Sequence, residues 1–311
     1  SRQTICLIRQ KEMSRQKKAV IMASFVVFFW ATVATAFKLA LAGMAAVTLL
    51  LISSLTALIV FTIYLGYTRN LVNTIKTLKD KRVVLNSLWQ GAMNPFIYYL
   101  ILFKGYSLLP AQIAQPMNFS WQVVLILLMA IFMKQKIGVI QALGVLISFA
   151  GIVMLSLNDG ADSSGTLSIA GIIFILASTV IWAVYWMLKI DNSKEPVEEL
   201  FRNFLAGSVF LLIAFIISPE PLEFGVPLFA AVYVGLFEMG ITFILWNKAL
   251  NIATNRIVVT QMIYLAPMLS FLIINRVLGE RITLLTIAGL ALIVSGILVS
   301  NMKHKKVLQH S

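Results

Sequence analysis

Glu238 is the single acid of "GLFEMGITFILWNKAL", Gly235 to Leu250, a stretch otherwise suited to a membrane interior. A charged side chain at the centre of a membrane helix costs about 3 kcal/mol on insertion scales, so a carboxyl there marks a candidate binding or proton-carrying group. Amides, phenols and indoles recur elsewhere at helical spacing. Gln112, Gln115, Asn118 and Gln122 fall within an arc of ~120°, and Ser87, Gln90, Asn94 and Tyr98 within ~80°. Ser178, Trp182, Tyr185, Trp186 and Lys189 share ~100°. Thr260, Gln261 and Tyr264 make a fourth stripe, and Glu238, Thr242 and Trp246 a fifth. Polar side chains facing lipid are costly, so the stripes are expected to face one another around a central cavity. The alternative for any one amide is a hydrogen bond that glues neighbouring helices together.

The candidate substrate-binding residues are therefore Glu238, Asn94, Gln90, Tyr98, Gln115, Asn118, Trp182, Tyr185, Trp246, Tyr264 and Lys38, with Glu238 also the proton-coupling candidate. Lys38 has two readings, snorkelling to the membrane surface or reaching the cavity. Trp30, Trp182, Trp186 and Trp246 offer flat faces that can pack in a core, stack on an organic ligand or grip a cation. His304, His310 and Cys6 all lie in terminal tails, so no metal cluster, disulfide framework or Ser/His pair is expected at membrane depth. A GxxxxGK[ST] phosphate loop is absent as well. Neither cofactor nor metal is expected, and enzyme chemistry is disfavoured.

Such residues need helices to position them. The chain is 60% hydrophobic with a mean hydropathy of +0.92, outside the range of water-soluble domains. Its apolar runs reach the ~20 residues of a spanning helix, whereas barrel strands would be about half as long and alternate every second residue. An all-α polytopic membrane protein is expected, with ten transmembrane helices near 19–42, 44–67, 83–103, 110–133, 137–157, 168–188, 200–217, 226–248, 257–275 and 282–301. With the N-terminus inside, 21 of the 25 lysines and arginines fall in cytoplasmic segments, which predicts both termini cytoplasmic. The net charge of +13 then has a topological cause, and no nucleic-acid partner is expected. The first residue is not methionine, and "SRQ" occurs both at Ser1 and directly after Met13, where translation is expected to start.

Sliding the second half over the first exposes a repeat. At an offset of 144, "GAMNPFIYYLILFKGY" lies on "GLFEMGITFILWNKAL", pairing Gly91 with Gly235, Asn94 with Glu238 and Lys104 with Lys248. At 145, "KQKIGVIQALGVLISFAG" lies on "GERITLLTIAGLALIVSG", pairing Gln135 with Glu280, Gly144 with Gly289 and Gly151 with Gly296. Five helices per repeat is an odd number, so the second repeat enters from the opposite side. The expected organisation is a basic tail 1–18, repeats 19–157 and 158–301 in inverted topology, and a basic tail 302–311. Inverted repeats characterise secondary transporters, whose sites lie near the midplane between the halves. Gly144, Gly151, Gly289 and Gly296 are expected to let helices five and ten pack closely. Pro95, Pro116 and Pro267 can kink helices and free carbonyls.

"FWATVATAFKLAL", "IWAVYWML", "LWNKAL" and "YLAPMLSFLIINRVLGERIT" resemble the drug/metabolite transporter superfamily, in particular its ten-helix EamA-type members, over almost the whole span from Ala19 to Asn301. "NFSWQ" is similar to the Asn-aromatic-x-Trp-Pro pattern of the branch containing aromatic amino acid exporters, with Gln122 where that branch has proline. The resemblance implies an export-type carrier in the cytoplasmic (inner) membrane, with a central cavity lined by helices one, three, four, six, eight and nine. Its partners would be the lipid bilayer and a small-molecule substrate, such as an amino acid or related organic compound. Alternating access with proton coupling at Glu238 and uniport both suit that architecture, as does a homo-oligomer. The competing class is a non-transporting membrane receptor or assembly protein.

Overall fold

The computed structural model describes residues 2–132, 134, 137–157, 167–189, 196–220 and 223–302, and every regular element among them is helical. The expected "NDGADSSG" connection, Gln135 and the C-terminal tail from Lys303 onward lie outside the described residues. Helix α1 (Arg2–Leu41) contains neither proline nor glycine in its 40 residues and runs unbroken through the segment expected as a tail. It is followed by α2 (Ala46–Tyr67), the short α3 (Leu71–Thr77) and α4 (Lys81–Gly91). A π-helical turn, Ala92–Ile97, leads into α5 (Tyr98–Leu108), α6 (Ala111–Phe119), α7 (Trp121–Phe132) and α8 (Val139–Ser156). The second half comprises α9 (Ile169–Lys189), α10 (Pro196–Ile217), α11 (Val226–Val234), a second π turn at Gly235–Gly240 and α12 (Ile241–Ile252). It ends with α13 (Arg256–Gln261), a 3-10 turn at Met262–Tyr264, α14 (Leu265–Leu278) and α15 (Leu284–Asn301).

Among the described residues, seven helical stretches are long and apolar enough to cross a membrane: 14–41, 46–67, 111–132, 169–188, 196–217, 226–252 and 258–278. Helices α8 and α15 are apolar but shorter. The crossing expected at 83–103 is broken at Asn94, whose φ of −144° and ψ of 116° are extended, beside Pro95, which has no N–H for a helical ladder. The crossing expected at 110–133 is two helices meeting at Ser120, whose hydroxyl donates to the Met117 carbonyl at 2.6 Å. Helix α14 stops at Gly279, where a φ of 68° favours a residue without Cβ. Large apolar side chains remain exposed on the outer faces, among them Ile59, Ile63, Ile216 and Phe229. Such broad apolar exposure suits lipid rather than water as the surrounding medium.

Two sets of contacts join the halves in matching fashion. Helices α8 and α15, each 18 residues long, lie against each other with their glycines crossed. A Cβ on Gly144 would come 2.5 Å from the Gly296 carbonyl oxygen, and one on Gly151 2.6 Å from that of Gly289. These glycines are doing what their spacing predicts, allowing close helix approach. Likewise, a Cβ on Gly91 would come 2.5 Å from the Asn203 carbonyl oxygen of α10 and 2.9 Å from Ala206 Cβ. One on Gly235 would come 2.5 Å from both the Ser53 carbonyl oxygen and Thr56 Cβ of α2. Ser53 and Thr56 are the eighth and eleventh residues of α2, and Asn203 and Ala206 hold the same places in α10.

Candidate functional site

A cavity of about 570 Å³ lies between the halves, within the range of small-molecule pockets. From the first half its wall takes residues of α1, the first π turn, α5, α6 and α7; from the second it takes residues of α9, α10, the second π turn, α12, α13 and the 3-10 turn. Phe37 and Tyr106 bound it towards one end, while Met129, Glu199 and Leu250 carry the wall to the other. Near Phe37 the helix ends are tied together. The Lys38 ammonium donates to the Tyr106 and Leu109 carbonyls, both at 3.0 Å, where a cation also complements the negative end of α5. Glu280 accepts from the Ala111 and Gln112 N–H groups at 2.9 and 3.0 Å, satisfying two free donors in the first turn of α6. The Gln112 amide donates to the Arg281 carbonyl.

Nine of the eleven sequence-predicted site residues, Glu238, Asn94, Tyr98, Gln115, Asn118, Trp182, Tyr185, Trp246 and Tyr264, come together in this wall. Gln90 does not. It accepts from Asn203 Nδ2 at 2.9 Å and so faces α10. The arc that grouped Gln90 with Tyr98 assumed a regular α-helix, and the intervening π turn adds residues per turn and shifts the register. Lys38 also lies outside the wall, bound to the α5 carbonyls, and Gln112 belongs to the tied helix ends. Thr242 is buried, with its hydroxyl donating to the Phe237 carbonyl within the second π turn. The side chain of Lys189 lies outside the described residues.

The remaining amides are both glue and wall. Asn118 donates to Ser178 Oγ at 3.1 Å and accepts from Tyr98 OH at 3.4 Å, while Gln115 donates to the Trp30 carbonyl at 3.2 Å. Tyr264 donates to Gln122. Glu238 accepts from the Tyr99 hydroxyl at 3.1 Å. By contrast, neither polar atom of the Asn94 side chain, nor Oε1 of Gln115, has a hydrogen-bond partner, and all are buried. The ring of Trp182 lies 4.4 Å from that of Tyr98 and 5.4 Å from that of Tyr185, stacked on both. Trp30 and Trp246 meet across the halves at 5.6 Å. The stripes missed Tyr99, Trp121 and Phe243. Tyr99 is adjacent to the selected Tyr98, and its role depends on the π-turn register, which hydropathy does not report.

The EamA-like transporter family model matches residues 17–157 and again 169–302, nearly the whole chain. The chain belongs to the EamA-like transporter family. It is thus a multi-pass membrane protein of a transporter family, not an enzyme. Its relatives include the "Uncharacterized transporter YvbV" of Bacillus subtilis, 24% identical over 70% of this chain and 72% of that protein. "Uncharacterized transporter YxxF", also of Bacillus subtilis, is 26% identical over 76% of each chain. The "Aromatic amino acid exporter YddG" of Ancylobacter novellus is 25% identical over 61% of this chain and 68% of its own. A solved protein structure superposes with a TM-score of 0.65, covering 95% of this chain and 100% of that one at 22% identity, which establishes likeness of fold.

Proposed function

We propose that this chain is a secondary carrier with ten membrane crossings in two inverted five-helix repeats, 19–157 and 158–301, moving a small organic solute by alternating access. The observation that carries the reading is the cavity itself, walled by both halves, tied shut near Lys38 and Glu280 and extending to Met129, Glu199 and Leu250 at the other end. The crossed glycines of α8 and α15, and the exchanged contacts of Gly91 with α10 and Gly235 with α2, are what a two-fold axis between the repeats would produce. Rocking one repeat against the other would break the ties of Glu280 and Gln112, which join the repeats, and open the tied end, while the Lys38 tie lies within the first repeat. By the basic-residue distribution, the end near Met129 faces the cytoplasm and both termini are cytoplasmic; the family likeness supports the inner membrane as its location. That disposition suits export.

Glu238 is the proton-coupling candidate, an acid set among aromatic rings that can exchange a proton for an ammonium group. Substrate contacts would come from the nine gathered residues. The named exporter of aromatic amino acids among the relatives is consistent with an aromatic organic solute. The test is flux in proteoliposomes under an imposed pH gradient. Glu238→Gln is expected to lower gradient-driven flux about 100-fold while exchange without a gradient persists. Flux and pH dependence unchanged from the parent protein would remove Glu238 from the mechanism.

A further inference from the structure

We propose that the cavity selects a cationic amine on a flat aromatic body in preference to an amino acid or an organic anion. This rests on the carrier reading for the use of the site, and on the wall alone for its chemistry. Among the described residues the wall holds two carboxylates, Glu238 and Glu199, and no lysine, arginine or histidine. Lys38, next to Phe37 of the wall, directs its ammonium to the carbonyls of Tyr106 and Leu109 instead. A substrate carboxylate entering this space would share it with Glu238 and find no cation in the wall to offset the repulsion, which low dielectric strengthens. An ammonium meets opposite charge together with aromatic faces that attract cations.

The neutral groups point the same way. Both polar atoms of the Asn94 amide and Oε1 of Gln115 are buried without partners, although buried amides are normally satisfied. An ammonium group has three N–H donors, and Glu238, Asn94 Oδ1 and Gln115 Oε1 are three acceptors in one wall. The ring planes supply the shape. Trp182 is inclined by 23° to Tyr98, 18° to Tyr185 and 21° to Phe243, a near-parallel set along which an aromatic body can lie.

Phenethylamine, phenylalanine and phenylacetate share a benzyl group and differ chiefly in their charged groups, phenylacetate being one methylene shorter, so they separate the possibilities. Binding to the purified full chain is read from quenching of tryptophan fluorescence, because Trp30, Trp121, Trp182, Trp186 and Trp246, five of the six tryptophans, line the cavity. Phenethylamine is expected to bind about tenfold more tightly than phenylalanine and about 100-fold more tightly than phenylacetate. Glu238→Gln should bring amine and anion within about threefold of each other, and Asn94→Asp should widen the gap beyond that of the parent protein. Equal or tighter binding of phenylalanine or phenylacetate to the parent protein would overturn the proposal, as would phenethylamine failing to bind at millimolar concentration. That comparison requires no variant to fold. Flux of the same compounds separates this proposal from the carrier reading. An amine bound as expected but not moved supports the cation site and counts against transport; phenylalanine moved while the amine neither binds nor moves overturns the cation site and leaves transport intact.

Discussion

In the first half of the chain the π turn Ala92–Ile97 brings an amide, Asn94, to the cavity; in the second, Gly235–Gly240 brings a carboxyl, Glu238. The two turns occupy equivalent places in the repeat, and each begins beside a glycine pressed onto a helix of the other half. Their partners differ. Glu238 accepts from Tyr99, whereas Asn94 has no partner for either polar atom. The repeat itself shows the cause, because at the offset of 144 Tyr99 corresponds to Phe243, which has no hydroxyl. A shared backbone device therefore carries two chemistries, and the half that received the acid is served by a phenol from the half that did not. On the proposed two-repeat reading, likeness between the halves builds the cavity, while departures from it supply the polar groups.

Making the halves alike should have the largest effect. Asn94→Asp puts a second carboxyl in the enclosed space and is expected to lower stability by about 3 kcal/mol, measured by unfolding in detergent. A variant as stable as the parent would mean that water or a counter-ion reaches the first π turn freely. The glycine pairs test the symmetry at the backbone. Gly144→Ala should cost about 2 kcal/mol, since its Cβ would be 2.5 Å from both the Gly296 carbonyl oxygen and the Ser300 nitrogen. Its repeat counterpart Gly289→Ala should cost less, because the nearest atoms are the movable end of Leu155 at 2.7 and 2.8 Å. Equal losses in thermal unfolding would show that side-chain mobility does not separate the two sites. Smallest is Tyr99→Phe, which leaves Glu238 as unpartnered as Asn94 and should cost about 1.5 kcal/mol. Introducing Glu238→Gln beside it in a double-mutant cycle should reveal a coupling energy; strict additivity would show that the 3.1 Å contact contributes nothing.

The site was legible to the extent that side chains sat on regular helix. Asn118, Gln115, Trp182 and Tyr185 were grouped by their spacing and do line one cavity. Gln90 was misplaced because a π turn separates it from Tyr98, and Tyr99 was missed for the same reason. Neither error is visible in hydropathy, which averages over a window longer than the turn. Lys38 and Gln112 were misassigned differently, since their partners are backbone carbonyls of distant segments, and carbonyls leave no mark in residue types. The tail expected at 1–18 is helical from Arg2, because polar composition ends a membrane span without ending a helix.

Composition and charge by themselves determined that this chain is a bundle of apolar helices for a membrane, and self-similarity paired Asn94 with Glu238. Those properties follow from transfer free energy and from repeated residue order, both written locally along the chain. Which face each π turn presents, that Tyr99 rather than Tyr98 meets the acid, and that the Asn94 amide is buried without a partner were decided only by tertiary packing. A change of hydrogen-bond register within six residues rotates everything that follows it, and the cost of that change is met by contacts with helices more than a hundred residues away in sequence.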